Sequence, residues 1–186
     1  MLKQLKNFYH REKGAAFVET AITLPIIILM IASVFEVGMY ILLQSKLTRM
    51  AGVVTDAITR QALSRTALIG IMDSAYTAAH PFDFSKYGQM VVTQIRNTSS
   101  KSDPSKMIIS WQQAKNGGMS QLGAPGSVPK NLPGGVSVVN EQTMVVTEIF
   151  YQYSPLLFKG YMPVKSIYLT AVFVPRSGDM NSLLTG

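Results

Sequence analysis

The chain has no cysteine. Disulfides and thiolate metal sites are thereby excluded, and an exported domain must hold together by packing alone. Histidine is scarce as well. His10 lies near the N-terminus, and His80 precedes Pro81 and reads as a turn residue. No metal-ligand cluster, nucleophile elbow or phosphate-binding glycine loop is present, so a non-enzyme without cofactors is expected. Charge is sparse too, at 15% of residues against the usual quarter. The deficit is concentrated near the N-terminus, which fits a membrane span better than disorder. The net charge of +7 suggests nucleic acid at first sight. Its distribution argues otherwise: Lys3, Lys6, Arg11 and Lys13 against Glu12 leave +3 on the first residues and +4 scattered elsewhere. No basic stripe interleaved with aromatics appears, and no nucleic-acid partner is expected.

What the chain does have is a long apolar run interrupted in an unusual place. Gly14-Ala-Ala-Phe-Val-Glu19-Thr-Ala-Ile-Thr-Leu-Pro25 leads into Ile26 to Phe35, after a basic, polar leader of residues 1–14. A carboxylate near a bilayer centre costs roughly 2.5 to 3.5 kcal/mol on insertion scales, so Glu19 calls for a partner charge. Glu36 follows 17 residues later, about 25 Å along a helix, and reads as a solvated carboxylate near the opposite interface. Pro25 leaves the Ala21 carbonyl without its usual donor, which predicts a kink or local unwinding over 21–25. A cleaved secretory signal fits poorly, because the apolar stretch is too long and carries both acids. A plain single-pass anchor remains open.

The leader, Gly14, Ala15-Ala16-Phe17-Val18-Glu19 and the apolar helix with Leu24-Pro25 together resemble a type IV prepilin N-terminus. More narrowly they resemble the minor pseudopilins of the tight-adherence (Tad) pilus, of the TadE and TadF type. The resemblance extends to Val145-Val-Thr-Glu-Ile-Phe-Tyr-Gln-Tyr-Ser-Pro155 and Ala171-Val-Phe-Val-Pro-Arg176. It implies cleavage between Gly14 and Ala15 by a prepilin peptidase, with Glu19 as the fifth mature residue. The residue after the glutamate is usually aromatic in this processing motif; here it is Thr20. The resemblance also implies that Glu19 meets the freed amine of Ala15, in the same or a neighbouring subunit. At 4 Å and an effective dielectric near 20 that attraction is on the order of 4 kcal/mol, partly offset by desolvation, so the pair sets register more than stability. The implied partners are the membrane, other minor pilins, the major pilin, and an inner-membrane platform with a secretion ATPase. The implied location is the bacterial inner membrane, single-pass, with the C-terminal domain periplasmic. The function so implied is assembly of an adhesive pilus. The alternative is an unprocessed membrane-anchored envelope protein whose exported domain binds a ligand or scaffold.

The remaining pattern predicts an α+β, pilin-like fold. A transmembrane and assembly helix occupies 15–45, a helical region 46–98, and an antiparallel-sheet domain 99–186. Leu47, Met50, Val54 and Ile58 recur at helical spacing, with Thr55, Asp56, Thr59 and Arg60 off the stripe. A second helix follows over 67–79, with Leu68, Ile71, Met72, Ala75, Tyr76 and Ala79 on one face and Gly70 as a candidate break. Residues 85–97 read as a short helix capped by Asp83 or Ser85, with a strand as the alternative. Residues 99–105 read as a polar linker. Strands are expected over 107–112, 143–153 and 166–174, the last two antiparallel. The Gly- and Pro-rich stretch 115–135 reads as a solvated loop. The 11 methionines read as packing and Trp111 as the cap of a hydrophobic cluster.

Overall fold

A computed structural model describes residues 2–60, 64–98, 106–136 and 142–175, with backbone alone for 2–13. The chain is a long helix whose second half lies on a four-stranded antiparallel sheet. Helix α1 spans Leu2–Thr59, on the order of 85 Å at 1.5 Å per residue. It passes through Pro25 without interruption, so the local unwinding expected over 21–25 does not occur. Helix α2 spans Arg65–Ala78, capped by the Ser64 side chain, which accepts from the Ala67 N–H. Gly70 does not break it. The short helix α3, Phe84–Tyr87, is capped by Asp83, which accepts from the Lys86 N–H.

The sheet comprises β1 (Gly88–Asn97), β2 (Met107–Lys115), β3 (Thr143–Tyr153) and β4 (Lys165–Phe173), in the order β2-β1-β3-β4. Every neighbouring pair is antiparallel. The helix expected over 85–97 is therefore a correction: after one turn the chain becomes a strand. Met90, Val91 and Val92 are buried in succession, which a strand covered on both faces explains. The linker expected over 99–105 lies outside the described residues.

Two clusters fill the two faces of the sheet. The helix-side cluster joins Leu43, Leu47, Met50, Val54 and Ile58 of α1, and Leu68 and Met72 of α2, to Met90, Val92, Val145, Ile149 and Ile167. The stripe expected on α1 is thus its packing face, as 3.6-residue periodicity dictates. Thr55 and Thr59, expected off the stripe, are buried as well. The Thr55 hydroxyl bonds both the Ala51 carbonyl at 2.6 Å and the Thr147 hydroxyl of β3 at 2.8 Å. The opposite cluster holds Ile95, Met107, Ile109, Leu122, Met144 and Val146. Between Ile109 and Trp111 the β1–β2 register slips at a bulge. An extra residue reverses the alternation. Ile109 consequently enters the far cluster while Trp111 packs against the helix side, as its capping role predicts.

The far face is covered by the segment expected to be solvated. Leu122 is fully buried there, and the loop is stitched to the sheet by the Gln112 side chain, which donates to the Gly123 carbonyl at 2.9 Å. Gly118 passes so close that a Cβ would lie 2.8 Å from Val91 Cγ2. A side chain at that position would push the loop off the strand.

Candidate functional site

Residues 14–35 form the most unusual surface of the molecule. Every side chain there is exposed except that of Ala32, and the exposed set runs around the whole helix, from Phe17 and Val18 through Ile26 to Met30 and Phe35. A helix apolar all round belongs in lipid or among other helices. It is the single helix among the described residues long and apolar enough to cross a membrane. Hydroxyls within it are turned back onto the helix: Thr20 bonds the Ala16 carbonyl and Thr23 the Glu19 carbonyl, each at 2.9 Å. That removes polar groups from the helix surface without a partner chain.

Glu19 is exposed on this surface, and among the described residues none bonds its carboxylate. Ala15 lies one helical turn away, about 6 Å along the axis. Gly14 sits in regular helix, and a Cβ there would meet nothing within 4 Å. Neither packing nor backbone geometry requires glycine at this position. Pro25 lies ten residues beyond Ala15, inside the same exposed stretch.

Glu36 corrects an expectation. It is not solvated but 6% exposed, and it is where α1 meets the end of β3 and the connection that follows it. The Tyr153 hydroxyl, at the end of β3, donates to its Oε1. The Leu156 N–H donates to both oxygens, at 2.9 and 3.1 Å, and the Leu157 N–H to Oε2 at 2.9 Å. Pro155 turns the chain so that two consecutive N–H groups point at one carboxylate. Tyr40, one turn further along α1, meets the Tyr153 ring edge-on at 5.3 Å, and Lys165 Nζ lies 4.7 Å from the Tyr40 ring centre. Tyr153, Pro155 and the two N–H groups that follow are thus the clasp that holds the apolar helix to the sheet.

A second buried carboxylate went unremarked in the sequence. Glu148, in the middle of β3, accepts from the Gln121 N–H at 2.9 Å, the Tyr168 hydroxyl at 3.0 Å and the Ser120 hydroxyl. It fastens the glycine-rich loop to the far face as Glu36 fastens the β3–β4 connection. The available signal was a lone charge in the mainly apolar and aromatic run Val145 to Tyr153. Burial pushes up the phenols around these carboxylates. Tyr153 is raised by burial and then by its bond to Glu36, and Tyr168 by burial and then by the Glu148 charge. Tyr151 is pushed up to about 12, by burial first and by Asp83 and Tyr87 after it.

Among the described residues no three His, Asp or Glu side chains lie close enough to hold a metal ion. His80 is exposed at the end of α2.

Fold and surface together define a protein with one N-terminal apolar helix suited to a membrane anchor, carrying a small α+β domain. Residues 14–54 match the family model of the TadE-like protein, and the match begins at Gly14 itself. It covers the exposed apolar stretch, the clasped Glu36 and most of the packing stripe of α1. No curated protein and no solved structure matches the chain.

Proposed function

We infer that this chain is a minor pilin or pseudopilin of a Tad-type adhesive pilus, cut after Gly14 by a prepilin peptidase. The observation that carries this reading is the pairing of a glycine the fold does not need with a glutamate the fold does not use. The family match across 14–54 supports it. In the precursor Ala15 is an amide, and among the described residues none offers Glu19 a cation. Cleavage creates an α-amine one turn away, or one turn away on a neighbouring subunit, and only then is the carboxylate paired. The apolar surface 15–35 first faces lipid and then packs against sister helices as subunits gather with other minor pilins and the major pilin. The inner-membrane platform and its ATPase drive that step. The domain remains on the periplasmic side, and its role is structural.

N-terminal sequencing of the membrane-fraction protein tests the cut: a mature chain beginning at Ala15 is expected. Functional protein that retains Met1 would leave the unprocessed anchor as the better description. Glu19→Ala tests the pair, with membrane insertion kept or improved and piliation lost. Normal piliation in that variant would rule out the ion-pair mechanism.

A further inference from the structure

The β3–β4 connection, residues 154–164, has a surface unlike the rest of the domain. Leu156 is 63% exposed, Tyr161 91% and Val164 57%, with Leu157 and Met162 at least half exposed beside them. The segment contains Lys159, is followed by Lys165, and has no acidic residue. Its place in the fold is fixed by Glu36, which binds the Leu156 and Leu157 N–H groups and directly follows Phe35, where exposure on every side of α1 ends, although Val37 and Ile41 stay exposed on its outer face.

From Glu36 onward α1 runs along β3 in the opposite direction. Tyr40 meets Tyr153, while Thr55 meets Thr147. Fifteen helical residues advance about 22 Å and six strand residues about 20 Å, so the two run nearly alongside each other. The connection therefore lies at the end of the domain from which the apolar helix emerges. An apolar cleft of about 340 Å³ opens at the same end, lined by Val37, Tyr40, Pro155, Met162 and Val164 among others.

We propose that residues 154–165 form a foot on the lipid surface, seated in the headgroup layer of the leaflet that α1 enters. Leu156, Leu157, Tyr161, Met162 and Val164 reach the acyl boundary, and Lys159 and Lys165 meet lipid phosphates. Tyrosine and lysine beside aliphatic side chains are the composition that favours this layer. Lipid is favoured over a protein partner because the patch is continuous with the membrane helix at its exit level. Its uniformly positive charge also matches anionic headgroups. The proposal rests on residues 15–35 lying in a bilayer and is independent of cleavage at Gly14.

The chain has no cysteine, so single substitutions carry a nitroxide label cleanly. The full chain is reconstituted in vesicles of phosphatidylethanolamine and phosphatidylglycerol with a label at Ile27→Cys, Tyr161→Cys or Val53→Cys. Collisions with oxygen and with a water-soluble nickel chelate report depth. Val53 is exposed on α1 17 residues beyond Glu36, about 25 Å along the axis, and serves as the reference in water. The expected order of depth is Ile27, then Tyr161, then Val53, with the Tyr161 label rising toward water when Lys159→Glu and Lys165→Glu are introduced. A Tyr161 label as wet as the Val53 label, beside a deep Ile27 label, overturns the foot and leaves the span intact. A Tyr161 label shielded from both collision partners indicates protein contact and overturns it equally. A wet Ile27 label removes the span and the foot together. Unchanged depth in the charge-reversed chain overturns the assignment of the two lysines to lipid.

Discussion

Glu36 receives three donors inside a domain with few charges, and what it contributes depends on that convergence. Removing a buried acceptor strands its donors, and each hydrogen bond to a charged group is worth roughly 1.5 to 3 kcal/mol. Glu36→Ala is expected to destabilise the domain by about 4 kcal/mol, and Tyr153→Phe, which removes one donor, by about 2 kcal/mol. Denaturant unfolding of the detergent-solubilised protein, followed by aromatic circular dichroism, measures both. Tyrosine ionisation gives a second prediction at this scale. Tyr151, Tyr153 and Tyr168 keep their protons in the folded state beyond the pH, near 10, at which an unfolded tyrosine gives its own up. Stability from these neutral phenols is complete below about pH 10 and is lost as pH rises toward 12, because the unfolded chain then binds fewer protons. The melting temperature should fall over that window, with tyrosinate absorbance appearing together with unfolding. Tyrosinate formation well before unfolding would contradict the burial of Tyr151 and Tyr153.

At the scale of elements, the sheet is covered by different means on its two faces. Helices α1 and α2 cover one face through side chains already spaced for it. The other is covered by an irregular loop, whose backbone is held by the Glu148 carboxylate, the Gln112 amide and the close approach at Gly118. Glu148→Ala is expected to free this loop. Limited proteolysis should then cut between 116 and 132, while the intact protein resists at equal protease. Leu122→Ala opens a cavity in the far cluster and should cost about 2 to 4 kcal/mol in denaturant unfolding. The helix side was legible in sequence, because Leu47, Met50, Val54 and Ile58 recur at helical spacing. The loop's role was not, since glycine and proline announce irregular backbone without saying what it lies on. The strand over 88–97 was obscured for a related reason. Burial on both faces removes the alternation that marks a half-exposed strand.

On the scale of the whole molecule, a single helix serves two environments. From Gly14 through Phe35 it contributes no side chain to either hydrophobic cluster; from Glu36 onward it is the backbone of the domain. A chain lacking residues 1–31 should therefore keep its fold, melting within a few degrees of the full-length protein in detergent. Loss of cooperative melting would mean that the N-terminal half supports the domain in a way its exposure does not suggest. The division also gives the proposed pilin its mechanical layout, with the assembly surface projecting from a folded body that does not depend on it.

Gly14, Glu19 and the all-round apolar run were legible in sequence alone, because the proposed cut and the suitability of a helix for lipid both depend on local chemistry. The packing stripe of α1 and the β3–β4 pair were likewise written in their periodicity. Only the tertiary structure decided that Glu36 is buried and that Glu148 holds a loop. A carboxylate's surroundings here come from residues more than a hundred positions away in one case and from a loop without periodicity in the other. Nothing in the local order of residues encodes which distant N–H groups will converge on it.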